Sequence, residues 1–227
     1  MITSRTNRRL QVVRKLLSAR KNREEAGLFA VEGEDLVDAA VAAGIGPVDL
    51  LVAGETVEAE LLAKVSTLGH APRIVGVYRR SDLPTGERDV TLALWRLSDP
   101  GNVGTLIRTA DAFGAAVALS DGCADPLGPR ALRASAGAIF RVPLLGWSDL
   151  GERRIALVPH EGVPLAAAEL NPPLTLLLGS ERDGLPESVV TQCHLAVTIP
   201  LTGQAESLNV AAAGAIALYE LSRRSRR

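Results

Sequence analysis

Short apolar runs alternate with helical segments along almost the whole of this 227-residue chain, and this alternation limits the possible folds more than any other property. Strands are predicted at 29–33, 48–53 and 73–78, and then at 90–97, 115–119, 154–158, 174–178 and 195–199. Helices are predicted between them, at about 7–20, 34–43, 58–68, 102–113, 186–192 and 207–222. Thr6 or Asn7 can cap the first of these helices, whose apolar face holds Leu10, Val13, Leu16 and Leu17. Such alternation predicts the α/β class, with mostly parallel sheets.

A polar segment divides the two series of strands. Residues 79–89 contain Pro84 and Gly86 and lack apolar periodicity, which is typical of a linker. We therefore predict a small domain over residues 1–85 and a larger one over residues 86–227. A chain of this length can bury a sizeable core in that arrangement.

Membrane and secreted classes fit the sequence poorly. No apolar run reaches the roughly 18 residues that a bilayer span needs. Basic residues interrupt the N-terminus, so it does not resemble a signal peptide. Cys123 and Cys193 are the only cysteines, too few for a disulfide framework. We expect a cytoplasmic protein without a membrane span.

Basic residues are concentrated at the two ends of the chain. Residues 1–23 hold eight Lys and Arg and no acidic residue, and the last five residues hold Arg223, Arg224, Arg226 and Arg227. The ends thus carry 12 of the 25 Lys and Arg. This asymmetry indicates contact with a polyanion, of which nucleic acid is the most plausible. A solvated helix face and a frayed tail would give the same pattern, so charge alone leaves both interpretations open.

Three predicted strands end in polar loops that contain glycine. The loops begin at residues 98, 179 and 200, and the second reads GSERDGLP. Ligands of open parallel sheets bind beyond the carboxyl ends of the strands. We therefore predict one site built from all three loops.

Polar residues in the first and third loops allow two interpretations each. Asn102 can cap the helix that follows it, and Arg108 suits a phosphate or carboxylate, or a surface pair with Asp111. Ser207 can cap the final helix, with Asn209 in its first turn, as part of a site or as an ordinary helix start.

Several familiar sites are absent from the sequence. No G-x-G-x-x-G or Walker loop follows a strand, and Ser135 in RASAG lacks the first glycine of a nucleophile elbow. The three histidines have no metal-ligand spacing, so no metal site is predicted. Adjacent Cys193 and His194 precede a strand and would point to opposite faces, so we discount them as a catalytic pair.

Taken together, the loops resemble the three signature motifs of the SpoU (TrmH-type) RNA ribose methyltransferases of the SPOUT superfamily. The N-terminal segments SRTNRRLQVVRKLL and GLFAVEG resemble the small, ribosomal-protein-like RNA-binding domain of members that modify ribosomal RNA. The matching C-terminal segments are DPGNVGTLIRTA (99–110), FG (113–114), RASAGAIFRVP (133–143), LGSERDGL (178–185), IP (199–200) and SLNV (207–210).

The resemblance implies a catalytic domain with a mostly parallel sheet and a deep trefoil knot, an exception to the rule against threaded chains. It implies S-adenosylmethionine as cofactor, RNA as partner, and a homodimer through the knotted domain whose active sites draw on both subunits. The cofactor-binding residues that it implies are Leu178, Gly179, Gly184, Ile199, Pro200 and Leu208.

The resemblance also implies the catalytic residues, which are Arg108, Asn102, Glu181, Ser207 and Asn209. An unperturbed arginine is protonated at any reasonable pH. We therefore expect Arg108 to hold a phosphate and to stabilise the developing alkoxide rather than to act as a free base. Glu181 could fix the guanidinium bidentately.

One residue departs from the family pattern, because Arg182 stands where many members have glycine after the motif-two glutamate. A bulkier side chain there alters the loop or contacts RNA. The predicted function is 2′-O-methylation of structured RNA, with ribosomal RNA of the large subunit favoured by the N-terminal resemblance. The alternatives are a transfer-RNA 2′-O-methyltransferase and a non-catalytic RNA-binding or ribosome assembly factor on the same fold.

Overall fold

The structure, a computed structural model, describes residues 1–225 and divides into two compact units. The first unit comprises Met1–Leu83 and Asp125–Arg141, and the second comprises Pro84–Ala124 and Val142–Arg227. Arg226 and Arg227, two of the basic residues counted at the C-terminus, lie outside the described residues. Among the described residues, no helix combines the length and the apolar character that a membrane span requires.

The first unit is a three-stranded sheet with helices, and its sheet is antiparallel. Its central strand β3 pairs antiparallel with both β1 and β2, so the expectation of a parallel sheet is wrong for this unit. Alternation of strands and helices shows which elements follow one another but not which strands become neighbours. Its elements are α1 (Arg8–Ser18), α2 (Arg20–Ala26), β1 (Leu28–Glu32), α3 (Glu34–Ala42), β2 (Asp49–Val52), α4 (Ala59–Val65) and β3 (Ile74–Arg79), with α6 (Pro129–Ser135) from the second segment.

Helix α1 begins where the sequence predicts a cap. The side chain of Asn7 accepts a hydrogen bond from the backbone N–H of Arg9 at 3.0 Å, which satisfies one of the unpaired donors of the first turn. The predicted apolar face of the helix is buried. Ala19 is extended, so the predicted single helix stops at Ser18 and the short helix α2 follows it.

Two ion pairs connect Asp125–Arg141 to the rest of the first unit. The side chains of Arg23 and Asp125 approach to 2.6 Å, and they retain only 6% and 16% of their solvent exposure. The carboxylate of Glu32, buried on β1, lies 3.7 Å from the guanidinium of Arg133 on α6. Glu32 also accepts a hydrogen bond from the hydroxyl of Ser66 at 2.6 Å. These contacts hold the segment on the first unit.

Apolar side chains from the same segment complete the core of the first unit. The ring of Phe140 lies 6.0 Å from that of Phe29 and 5.3 Å from that of Tyr78, and all three rings are buried. The chain passes between the units at Leu83–Pro84, close to the predicted boundary after residue 85. The sequence places 125–141 in the larger domain instead, because the partners of this segment lie about a hundred residues earlier in the chain.

The second unit is built on a seven-stranded sheet in which every neighbouring pair is parallel, as predicted. The strand order is β6-β5-β4-β9-β7-β10-β8. The strands β6 and β8 are short and were not predicted. The strands are β4 (Val90–Leu94), β5 (Ala116–Leu119), β6 (Leu144–Gly146), β7 (Arg154–Leu157), β8 (Val163–Pro164), β9 (Leu174–Leu178) and β10 (Leu195–Thr198), and the helices are α5 (Pro100–Phe113), α7 (Glu187–Val190) and α8 (Val210–Ser225).

Strand β9 is the centre of this sheet. All five of its residues are buried, which confirms the prediction from its uninterrupted apolar sequence. It lies between β4 and β7, so the loop after it emerges beside the loops that follow these two strands. Helix α8 packs closely here, since a Cβ atom added at Gly214 would lie 2.4 Å from Leu106 on α5 and 3.1 Å from Leu178. The sheet therefore presents the predicted loops at one edge.

Candidate active site

Hydrogen bonds between side chains join the three predicted loops. The amide nitrogen of Asn209 donates to the amide oxygen of Asn102 at 3.1 Å, and the amide nitrogen of Asn102 donates to the carboxylate of Glu181 at 3.1 Å. The three residues are 79 and 107 positions apart in sequence. We call this chain of bonds the Asn209–Asn102–Glu181 relay. It confirms that the three loops meet at one place.

Glu181 is held in its ionised form. Its carboxylate also accepts hydrogen bonds from the backbone N–H groups of Ser98 at 3.3 Å and Asp99 at 3.2 Å. Burial raises the pKa of Glu181. The hydrogen bonds from Asn102 and from backbone N–H groups together lower it by more than burial raises it, so the pKa lies below its ordinary value. An ionised carboxylate only accepts, so Asn102 must present its NH₂ group to Glu181 and its oxygen to Asn209.

Helix α5 begins earlier than the sequence predicts. The side chain of Asp99 accepts a hydrogen bond from the backbone N–H of Gly101 at 2.6 Å, and Pro100 occupies the first turn. The interpretation of Asn102 as the cap is therefore wrong. Because Asp99 caps the helix, the side chain of Asn102 is available for the relay.

Helix α8 begins later than the sequence predicts, and Asn209 caps it instead of Ser207. The amide oxygen of Asn209 accepts hydrogen bonds from the backbone N–H groups of Ala211 at 2.9 Å and Ala212 at 3.3 Å. Asn209 thus uses its oxygen to start the helix and its nitrogen to reach Asn102. Ser207 lies in the preceding loop, exposed, and lines the cavity described next.

A cavity of about 410 Å³ lies beside the relay, at the carboxyl ends of β7, β9 and β10. Among the catalytic candidates, Glu181, Ser207 and Asn209 line it. Pro200 is not part of the lining, although both of its neighbours in sequence are. Of the six predicted cofactor-binding residues, the lining includes Leu178, Gly179, Gly184, Ile199 and Leu208.

The sequence reasoning missed one wall of this cavity, formed by Leu157, Val158 and Pro159 after β7. The strand at 154–158 was itself predicted, and its carboxyl end had to lie at the same edge of the sheet. The loop that follows contains His160, Glu161 and Gly162, but it matches none of the three signature motifs.

Close backbone approach explains the two glycines of the second loop. Ser180 and Gly184 pair through two backbone hydrogen bonds of 3.1 Å, which fold the loop back on itself. A Cβ atom added at Gly179 would lie 2.1 Å from the carbonyl carbon of Gly184, and Gly184 itself has a φ of +66°. Only glycine fits both positions without moving the loop.

Arg108 is the one catalytic candidate that the structure does not bring into this group. It is exposed on α5, does not line the cavity, and makes no hydrogen bond or ion pair with any described residue. The carboxylate of Glu181 is instead engaged by Asn102 and by backbone N–H groups. Within a single chain the predicted contact between Glu181 and Arg108 is therefore not formed.

The lining suits S-adenosylmethionine. The volume of the cavity is in the range of small-molecule sites, about 300–1,000 Å³. The side chains of Leu157, Leu178, Ile199 and Leu208 supply apolar walls for a planar base, and polar groups near Glu181 lie at one side. Within residues 1–225, no three His, Cys, Asp or Glu side chains are grouped as a metal site would require.

Comparison with known proteins agrees with the geometry. Residues 89–219 match the model of the SpoU rRNA Methylase family. A 23S rRNA (uridine(2479)-2′-O)-methyltransferase of Streptomyces viridochromogenes is 32% identical over 263 residues, which cover 98% of this chain and 91% of that protein. The 23S rRNA (guanosine(2553)-2′-O)-methyltransferase RlmP of Bacillus subtilis is 30% identical, with 91% of this chain and 93% of that protein covered.

The fold has a solved counterpart with cofactor bound. The SpoU methyltransferase AviRb from Streptomyces viridochromogenes, in complex with the cofactor AdoMet, matches this chain with a TM-score of 0.85 at 27% identity. The match covers 97% of this chain and 98% of that one. The family model also spans more than half of the sequence, and the three signature loops meet in space. The chain therefore belongs to the SpoU rRNA methylase family.

Proposed function

We propose that this protein methylates the 2′-hydroxyl of a ribose in ribosomal RNA of the large subunit, with S-adenosylmethionine as the methyl donor. The observation that carries the proposal is the Asn209–Asn102–Glu181 relay at the edge of a cavity of cofactor size. Relatives named as 23S rRNA 2′-O-methyltransferases are similar over nearly the whole chain, including the first unit. That extent favours ribosomal over transfer RNA.

The cavity would hold the cofactor, which when bound supplies an electrophilic methyl group on a sulfonium. Apolar side chains of Leu178, Ile199 and Leu208 cover a base, and the backbone around Gly179 is open to close approach because no side chain stands there. Gly184 permits the turn that closes the second loop over this space. Pro200 holds the direction of the chain between two lining residues.

The reaction requires the protein to stabilise the attacking oxygen. The pKa of a ribose hydroxyl is far above neutrality, so charge develops on that oxygen as its proton passes to solvent water. The guanidinium of Arg108 offsets this charge and holds the adjoining phosphate. Asn102, Ser207 and Asn209 orient the sugar, and ionised Glu181 keeps the amide of Asn102 in its single useful orientation.

The proposal includes a homodimer that shares its active sites. Arg108 is exposed and has no partner among the described residues of its own chain, so a second copy is needed to place it against a cavity. Apolar side chains on α8 support association of the second unit, since Ile216 and Tyr219 are 41% and 59% exposed. The knotted path of the second unit is part of the same proposal. So is a cytoplasmic location, where Cys123 and Cys193, neither in a disulfide, would stay reduced.

Substitution of Arg108 tests the proposal directly. Arg108→Ala should reduce methyl transfer to large-subunit RNA by at least about a thousandfold, because the developing charge loses its counter-charge. Cofactor affinity should stay within about threefold, because the proposed contacts of Arg108 are with the phosphate and the attacking oxygen of the RNA rather than with the cofactor. Transfer of labelled methyl groups and calorimetry with S-adenosylmethionine measure the two effects. A large loss of cofactor affinity would contradict the assigned role.

Mixed dimers test whether sites are shared. Arg108→Ala chains lack the arginine but keep the cavity, and Gly179→Ala chains keep the arginine but bind the cofactor more weakly, so the assay uses S-adenosylmethionine well below their Kd. Co-produced together, the two should recover about a quarter of wild-type activity, because half of the dimers are mixed and half of their sites are intact. Each variant alone is the control. No recovery, with mixed dimers present, would mean that each chain supplies its own arginine.

The choice of RNA is settled by the same assay. Purified protein should label large-subunit RNA and leave transfer RNA unlabelled. Labelling of transfer RNA alone would assign the alternative substrate. A protein that binds RNA but neither binds S-adenosylmethionine nor transfers methyl groups would be an assembly factor.

A further inference from the structure

The only two tryptophans of the chain lie together at the carboxyl edge of the second unit's sheet. Trp95 follows β4 and Trp147 follows β6, and their ring centroids are 5.0 Å apart with the planes at 61°. Both side chains are partly exposed, whereas the three clustered rings of the first unit are buried. The pair is not part of the three signature motifs.

Backbone contacts place Trp95 directly beside the candidate active site. Its N–H donates to the carbonyl of Leu178 at 2.8 Å, one residue before Gly179. Three residues after Trp95, the N–H of Ser98 donates to Glu181. Trp95 therefore stands on the short stretch of chain that connects the sheet to the relay.

The tryptophans lie on the face of the sheet opposite to Leu178. Alternation along β4 puts Trp95 on the same face as Ala93. Ala93 belongs to a buried cluster with Leu177, and both Trp147 and Leu185 of the second loop pack against that cluster. The cavity and the tryptophan pair thus flank the same strand ends, one on each face of the sheet.

Arg96 adds a positive charge to this edge. It is exposed, and its φ of +50° places a non-glycine residue in the left-handed region, which strains the backbone. Its N–H donates to the hydroxyl of Ser120 at 2.9 Å, and its side chain lies over Gly122, where an added Cβ would be 3.4 Å from Nε. No described residue forms an ion pair with Arg96. Its guanidinium is thus available to an anion.

We propose that Trp95 and Trp147 form a stacking surface for an unpaired nucleobase of the RNA substrate, next to the ribose that is methylated, and that Arg96 binds the phosphate of the same nucleotide. The inference rests on the proposed function, which supplies the RNA. Unpaired bases are commonly recognised by stacking on aromatic side chains, whatever their sequence. A guanidinium beside the rings suits the backbone phosphate. An apolar segment of a protein partner would leave the charge of Arg96 without a counter-charge, so an RNA nucleotide fits this surface better.

Tryptophan fluorescence, excited selectively over tyrosine, reports on this surface alone because the chain has no other tryptophan. Titration of the full-length protein with an unpaired oligoribonucleotide should quench the emission in a saturable way, as stacking on an indole does. S-adenosylhomocysteine alone should leave it nearly unchanged, since the cavity is on the other face. Normal emission at RNA concentrations that saturate a filter-binding assay would overturn the inference.

Kinetics of variants separate stacking from a structural role. Trp95→Leu and Arg96→Gln should each raise the KM for RNA by about tenfold, with kcat and the Kd for S-adenosylmethionine unchanged. Trp95→Phe should retain most of the affinity because a ring remains. Arg88→Gln is the matched charge control, since Arg88 is exposed at the opposite end of β4. Equal loss of kcat and cofactor affinity in Trp95→Leu would show that the pair only supports the loop, and would overturn the proposal.

The two proposals fail in different ways. Quenching by RNA that Trp95→Leu diminishes, in a protein that transfers no methyl group, would leave the stacking surface intact and remove the enzymatic function. Methyl transfer without quenching, and with a normal KM in Trp95→Leu, would leave the enzymatic function intact and remove the stacking surface.

Discussion

Glu181 shows how one side chain can organise a site by joining two of its segments. Its two carboxylate oxygens accept hydrogen bonds from the side chain of Asn102 and from the backbone N–H groups of Ser98 and Asp99. Those donors come from the loop after β4 and from the first turn of α5, while Glu181 comes from the loop after β9. A single negative charge therefore holds two loops together, and the orientation of Asn102 depends on that charge.

The state of Glu181 predicts how the site responds to acid. The folded protein holds its pKa below the ordinary value of 4.5, so the charge stabilises the site above that value, and the stabilisation is lost as the pH falls through the folded pKa. Glu181→Gln should cut kcat by about 10- to 100-fold, because Asn102 is no longer held in one orientation. Unfolding of the wild type followed at pH values from neutral to acid should show the extra acid sensitivity, and that of Glu181→Gln should not. Identical acid profiles would contradict this role.

The loop after β9 shapes the candidate site through its backbone rather than through a side chain. The strand is buried at every residue, and the chain that leaves it folds back through the Ser180–Gly184 pair. There is no room beside Gly179 for a Cβ atom. The absence of a side chain at Gly179 thus sets the shape of the cavity.

Adding one methyl group at Gly179 should open this loop. In Gly179→Ala the new Cβ would meet the backbone at 2.1 and 2.2 Å, so the loop must move. We expect at least a tenfold weaker Kd for S-adenosylmethionine, measured by calorimetry, and a loss of about 1–3 kcal/mol in the free energy of unfolding. Gly203→Ala is the matched control, since a Cβ there meets nothing within 4 Å. Equal effects of the two substitutions would refute the argument.

At the scale of the whole molecule, the first unit is not one continuous stretch of chain. Residues 125–141 complete its core through buried side chains and through the ion pair of Arg23 with Asp125. A catalytic fragment cut at the predicted boundary would therefore carry part of the other unit's interior. The sequence alone suggests that removal of residues 1–85 weakens RNA binding and preserves the dimer.

The structure predicts a further effect of that truncation, which is the exposure of buried apolar residues. A chain of residues 86–227 should expose Leu132, Ile139 and Phe140, which the intact first unit buries. We expect it to bind a hydrophobic dye more strongly than the full chain and to aggregate on size-exclusion chromatography. The same fragment with Phe140→Ser and Leu132→Ser is the control and should bind less dye. Dye binding no greater than that of the full chain would contradict the division into units.

Features that depend on neighbours in sequence could be predicted. The apolar residues of β9, the cap and buried face of α1, and the polar loops after three strands are all local patterns, and the structure confirms them. The positions of the helix caps Asp99 and Asn209 were not predicted, because several residues near each helix start can cap and only the backbone path selects one.

The sequence by itself determined the α/β class, the parallel sheet of the second unit and the composition of the candidate site, because strand and helix periodicity and loop chemistry are short-range properties. Only the tertiary structure decided the antiparallel sheet of the first unit, the placement of 125–141, the cavity wall at Leu157–Pro159 and the pairing of Trp95 with Trp147. These depend on which distant segments become neighbours. Packing of the whole chain determines which distant segments become neighbours, and local sequence patterns do not predict it.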